Sequence, residues 1–288
     1  MTGAGLPVPR GFVVCASAFE TFLDRHAGRS LVLEVTTGLN VHDAAALEVA
    51  ATRLREVIAA NPLPVEIGEA LRHAYRALGE ESPVAVRSSA VGEDGEAASF
   101  AGQQETFLNV RGEHDIGRHV QACWASFFAP RAMFYRSQKG TLSDTRMAVV
   151  VQEMVLADKS GVMFTVDPIR KRRDRMVIEA VFGLGEGVVS GEITPDHYVL
   201  DRETASLVEA FIAVQTSAIL SDSEHGGTHH VELSEERGSA RVLDADELDE
   251  LHEIGLRVER CFGSPQDIEW CFRGHELFLL QSRPITTL

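Results

Sequence analysis

Residues Val84–Val110 read "VAVRSSAVGEDGEAASFAGQQETFLNV". They begin as a short apolar strand, pass through a loop dense in Ser, Gly and Ala, and end as a second strand. The stretch lies between segments of helical spacing, with strand-rich texture beyond residue 140, and that organisation argues for a mixed α/β (α+β) chain. Arg87 leads into the loop beside Ser88 and Ser89. A guanidinium fits phosphate oxygens through parallel donors, so this pattern suits an anionic ligand. Ser and Gly also fill ordinary surface turns for reasons of backbone geometry. On spacing alone both readings stand.

Upstream of this stretch, Ser17 and Glu20 form a capping-box pattern before Phe22 and Leu23 and predict a helix start there. Leu47, Ala50, Leu54 and Ile58 recur at helical spacing from Asp43 until Asn61-Pro62. Ile67, Leu71, Tyr75 and Leu78 make a further helical face that Gly79 stops. Downstream, one long helix is predicted from about Ile116 to Gln138, with Trp124, Phe127 and Phe128 as core. The first lobe then closes near residue 140, giving lobes 1–140 and 141–288. In the second lobe "MAVVVQEMV" (Met147–Val155), "SGVMFTV" (Ser160–Val166) and "RMVIEAVF" (Arg175–Phe182) read as sheet strands. A helix is predicted over Asp244–Phe262 and a loop over Ser221–Gly238. The end, "QDIEWCF" and "ELFLLQSRP" around "RGH", reads as a hairpin.

Composition narrows the function classes. The chain has 288 residues, 44% of them hydrophobic, enough for a sizeable core in two lobes. With 27 Lys and Arg against 43 Asp and Glu the formal net charge is -16, which argues against non-specific attraction to nucleic acid or an anionic membrane. An anionic ligand then needs a local cluster of cations, N–H groups and metal. Cys15, Cys123, Cys261 and Cys271 form no C-x-x-C pair, so neither zinc nor a disulfide framework is signalled, and reduced core thiols are expected. The N-terminus shows no basic start followed by a long apolar run, and no segment reads as a bilayer span; cytoplasm is the expected compartment.

The terminal hairpin carries the second candidate site. Strand periodicity sets Asp267, Glu269 and Cys271 opposite Ile268 and Trp270, and groups Leu279, Gln281 and Arg283 on one face of the partner strand. A carboxylate and an amide oxygen with a nearby arginine can hold Mg²⁺ and a polyphosphate, because Mg²⁺ takes few protein oxygens and keeps substrate phosphates. A charged pair of Glu269 and Arg283 across an exposed sheet face is the plainer alternative. Gly183, Gly185 and Gly187 after a strand suggest a dinucleotide turn, but Gly191 and Pro195 leave no room for the long helix it needs. "THHVE" (Thr228–Glu232) places neighbouring histidines on opposite faces of an extended chain and reads as exposed loop.

Six motifs, "LPVPRGFVV", the Val84–Val110 stretch, "VQEMV", "SGVMFTVDP", "IEAVFGLGEGVVSGEITPD" and "QDIEWCF" with "LFLLQSRPIT", occur in this order. Together they resemble the ATP-binding domain of the phosphoenolpyruvate synthase and rifampin phosphotransferase family, whose kin is pyruvate phosphate dikinase. The resemblance implies a two-lobed ATP-grasp fold with the nucleotide between the lobes. It also implies dikinase chemistry that splits ATP into AMP and phosphate while the β-phosphoryl group passes to a histidine. By the same resemblance Arg87 binds the ATP phosphates, and Gly102, Gln104 and Thr106 are phosphate-loop contacts. Gln152, Glu153 and Met154 form the hinge that meets adenine. Glu269 and Gln281 hold magnesium, Asp267 lies near the ribose or metal, and Arg283 grips the transferring phosphoryl group.

Members of that family usually carry a preceding Gly-Gly-Lys segment whose lysine binds phosphates, whereas this sequence starts at "MTGAGLPVP" and stops after "QSRPITTL". The expected partners are therefore ATP, a separate histidine-bearing swivelling domain or chain, and a small-molecule phosphoryl acceptor. The competing expectation is a nucleotide-binding or regulatory module without turnover.

Overall fold

The structure is a computed structural model that describes residues 1–79, 81–90, 105–222 and 226–286. Its Cα packing divides into two compact units. One comprises the described residues from Arg10 to Met154, and the other joins Met1–Pro9 to the described residues from Val155 onward. The division falls at Met154/Val155 rather than near 140, because the strand ending at Glu153 is hydrogen-bonded into the first unit's sheet.

In the first unit the chain runs β1 (Gly11–Val14), α1 (Ala16–Arg25), α2 (Gly28–Thr36), α3 (Ala44–Ala60), α4 (Val65–Leu78), β2 (Val84–Ala90), β3 (Thr106–Val110), α5 (Glu113–Ser126), α6 (Pro130–Gln138) and β4 (Met147–Glu153). The strands pair antiparallel in the order β1-β4-β2-β3. One sheet face, carrying Val84, Val86, Val149 and Val151, is buried with Phe19 and Phe22 of α1, Trp124 of α5, and Phe128 between α5 and α6. Phe19 stacks on Trp124 with ring centroids 5.1 Å apart. Asp43 caps α3 by accepting from the Ala45 and Ala46 N–H groups.

Three expectations change. Helix α1 starts at Ala16 from Cys15 with no side-chain cap, so Ser17 lies inside the first turn and forms no capping box. The predicted long helix is two, because Pro130 lacks the N–H that would continue α5 and instead opens α6. Helix α2 had no sequence signal. It begins after a left-handed Ala27 (φ 54), with Gly28 so close to Leu23 that a Cβ would stand 2.6 Å from its side chain.

The second unit contains β5 (Lys159–Phe164), β6 (Arg175–Phe182), α7 (Glu186–Ser190), β7 (Asp196–Asp201), β8 (Leu207–Phe211), β9 (Ser217–Ser221), β10 (Thr228–Glu232), α8 (Glu235–Gly238), α9 (Ala245–Phe262), β11 (Gln266–Arg273) and β12 (Glu276–Pro284). Six strands pair antiparallel in the order β12-β11-β5-β6-β7-β8, and β9 pairs with β10. Helix α9 opens on an Asp244–Glu247 capping box, ends at the left-handed Gly263, and buries Leu251 and Val258 with Met163, Ile178 and Trp270 of the sheet. Leu6 joins the same core, and the Leu279 N–H donates to Pro7 O at 2.8 Å. The predicted loop at Ser221–Gly238 contains β10 and α8. The glycine-rich stretch after β6 makes only the short α7, closed by the left-handed Gly191. Cys15 and Cys261 are exposed rather than core thiols, while Cys123 and Cys271 are buried.

Candidate functional site

In the first unit Arg87, Thr106 and Gln152 lie on the sheet face opposite the helical core. Cross-strand partners share a face, and Arg87 pairs with both Thr106 and Val150 while Ala85 pairs with Gln152. Arg87, Thr106 and Gln152 are thereby brought to one face. Gln152 is only 7% exposed, and its side-chain amide hydrogen-bonds to none of the described residues. Glu153 has the opposite parity. Its carboxylate accepts from Arg10 Nε at 3.0 Å and Arg10 Nη2 at 3.2 Å, and Nη2 also donates to Leu78 O at 2.9 Å. The arginine holds the Glu153 side chain away from the Gln152 face, and the Glu153 N–H donates to Arg10 O at 2.8 Å. Met154 is buried, with its N–H donating to Pro83 O at 2.8 Å. Gly102 and Gln104 lie outside the described residues.

In the second unit the hairpin of β11 and β12 sets Asp267 opposite Arg283 and Glu269 opposite Gln281. A bulge follows at once. Trp270 pairs with Leu279, which leaves Leu280 as an extra residue on β12. The extra residue reverses the alternation, so Leu279 enters the core with Trp270 and does not share a face with Gln281 and Arg283 as a regular strand would require. With its amide oriented to satisfy both neighbours, Gln281 donates to Glu269 Oε1 at 3.3 Å and accepts from Arg283 Nε and Nη2, each at 2.7 Å. The Gln281 amide thus links Glu269 and Arg283, the two charges of the plainer expectation.

Two residues of this face carried no sequence assignment. Across the sheet Glu269 pairs with Val162, Val162 with Glu179 and Glu179 with His197, so all share one face. His197 Nδ1 stands 3.5 Å from Glu179 Oε1. Burial, helped by the charges of Glu269 and Glu179, pushes the Asp267 carboxyl up to about 6 against the pull of Arg283. Glu179 was legible only as a lone charge inside an apolar strand.

Among the described residues no group of three or more His, Cys, Asp or Glu could hold a metal by itself. One carboxylate and one amide oxygen instead fit an ion that brings its own water and phosphate oxygens. Among the described residues no helix is long and apolar enough to cross a membrane.

Residues 1–288 match the family described as pyruvate phosphate dikinase, AMP/ATP-binding domain. A probable phosphoenolpyruvate synthase of Methanocaldococcus jannaschii is 44% identical over 100% of this chain and 25% of its own length. A rifampicin phosphotransferase of Streptomyces sp is 44% identical over 99% of this chain and 33% of its own, and one of Bacillus cereus is 39% identical over 99% and 32%. The chain thus spans a quarter to a third of the length of these relatives. A solved D-alanyl-alanine synthetase A of Vibrio cholerae aligns with 98% of this chain and 52% of its own at 10% identity and a TM-score of 0.35, too slight a likeness to bear on the site. The match over the whole chain shows that it belongs to the pyruvate phosphate dikinase AMP/ATP-binding domain family.

Proposed function

We propose that the chain binds Mg-ATP and serves as the nucleotide-binding part of a dikinase-type phosphotransferase. The β-phosphoryl group of ATP passes to a histidine on a separate domain or chain and then to a small-molecule acceptor, while AMP leaves and the terminal phosphoryl group is taken by water as phosphate. The observation that carries this reading is the Glu269–Gln281–Arg283 array. It places a carboxylate, an amide oxygen and a guanidinium in hydrogen-bond contact on the sheet face opposite the one that packs on α9.

Phosphoryl transfer asks the protein chiefly to position groups and neutralise charge, and this array suits that task. Glu269 and Gln281 are the residues that would hold the metal. Bound Mg²⁺ would neutralise phosphate charge. The Arg283 guanidinium would contact phosphate oxygens, and Arg87 would supply a second guanidinium. Asp267 lies beside the ribose or the metal. On the β4 end the buried Gln152 amide offers a donor and an acceptor to a purine edge and the Glu153 and Met154 carbonyls offer further acceptors, with Thr106 on the Arg87 face. The fold expected of such a nucleotide-binding part is ATP-grasp, and the expected setting is the cytoplasm.

The test is transfer of label. ATP carrying ³²P at the β position is incubated with the chain, Mg²⁺ and the purified histidine-bearing segment of a phosphoenolpyruvate synthase relative. Acid-labile, base-stable label on that segment is the expected result. Tight Mg-ATP binding with all label left in ATP would contradict transfer and leave a binding module.

A further inference from the structure

The β3 strand contains a buried residue that packing does not explain. Asn109 is 1% exposed and adopts a left-handed backbone, φ 54. Val84 pairs with Val110 and Val86 with Phe107, so Leu108 and Asn109 together face the single residue Ala85 and form a bulge. Glycine is the usual occupant of a left-handed bulge position, and asparagine is the side chain that tolerates it best because its short amide bonds locally. Here Asn109 Oδ1 accepts from Arg111 Nε at 3.1 Å.

The bulge turns the Asn109 N–H out of the regular ladder, and it donates to Met154 Sδ at 3.1 Å. A thioether is a weak acceptor on a side chain with three rotatable bonds, so one fixed donor selects among its rotamers. Met154 is thus held at its own N–H by Pro83 and at its sulfur by Asn109.

We propose that Asn109 is a positioning residue for base recognition, its bulge N–H fixing the Met154 thioether as one wall of the purine site. The inference rests on the reading that the β4 end meets adenine. It adds a residue that touches no ligand and acts through backbone conformation.

The full chain is titrated calorimetrically with Mg-ATP and with Mg-tripolyphosphate, which has no base, alongside Asn109→Val, Asn109→Gly and Met154→Leu, with thermal melts as the folding control. Valine disfavours the left-handed region, and that penalty read as affinity predicts roughly tenfold weaker Mg-ATP binding with tripolyphosphate changed by less than about twofold. Glycine keeps both the conformation and the N–H, so Asn109→Gly stays within about twofold of the unmodified chain for both ligands. Met154→Leu loses Mg-ATP affinity and keeps tripolyphosphate affinity. Parallel loss of both ligands in Asn109→Val, or unchanged Mg-ATP binding, would overturn the inference. So would Asn109→Gly behaving like valine. Failure of the unmodified chain to bind Mg-ATP while binding tripolyphosphate would instead remove the adenine reading, and the inference with it.

Discussion

Asp267 is held where its charged form is disfavoured, with its carboxyl pushed up to about 6 by burial first and by Glu269 next. An unfolded aspartate titrates near 3.9, so the folded state binds this proton more tightly and its stabilising effect is greatest below about pH 4. As pH rises through about 4 to 6 that contribution is lost, and above this window the buried charge costs on the order of 2 kcal/mol. Asp267→Asn is therefore expected to raise stability at pH 7 and to flatten the stability profile between about pH 4 and 6, read by urea unfolding at a series of pH values. An unaltered slope would contradict the assignment. Strand periodicity alone put Asp267 and Glu269 on one face, since successive side chains of a strand alternate. It could not supply Glu179, whose charge arrives from β6 through the register of β5, or Arg10, which is 143 positions from Glu153 in sequence.

At the scale of elements, two features of the second unit hold the site's sheet to its helix. Glu247 completes the α9 capping box and accepts from Lys159 Nζ at 2.5 and 2.7 Å, with 6% and 18% of the two side chains exposed. Asp244→Ala removes a cap and is expected to cost about 1 kcal/mol. Glu247→Ala removes its half of the box and strands a poorly solvated ammonium, and is expected to cost about 3 kcal/mol. Equal losses on chemical denaturation would show that the Lys159 pair adds nothing. Gly161 lies where β5 meets β6 and β11, and a Cβ there would collide with the Glu179 carbonyl and the Trp270 ring. Gly161→Ala is expected to lower the melting temperature by several degrees, about 4 °C or more if the clash costs a few kcal/mol.

Elements with strong local signals were legible: α3 from the helical spacing of Leu47, Ala50, Leu54 and Ile58, α9 from that of Leu248, Leu251, Gly255 and Val258, and the hairpin from two apolar strands around Gly274, whereas the caps at Asp43 and Asp244 were not read. The Leu280 bulge was not legible either, because an extra residue leaves the local alternation looking regular until the partner strand is known. Strand β8 was missed because its residues are all exposed and carry no buried face to betray a period.

Over the whole molecule the mixed α+β class was readable, and the boundary near 140 was not. The strand texture that begins at Met147 belongs to two different sheets, and β4 joins the first through long-range pairing with β1 and β2. With a net charge of -16 the average field opposes an anionic ligand, so in the proposed site Arg87 and Arg283 would have to supply the attraction locally. The most direct test of the central claim is calorimetric titration of the chain with a non-hydrolysable ATP analogue, with and without Mg²⁺, beside Arg87→Ala and Glu269→Gln. The account predicts Mg²⁺-dependent binding that weakens roughly tenfold or more in Arg87→Ala through loss of a charge-assisted contact, and that loses its Mg²⁺ dependence in Glu269→Gln. No binding by the unmodified chain, or binding indifferent to both substitutions, would contradict it.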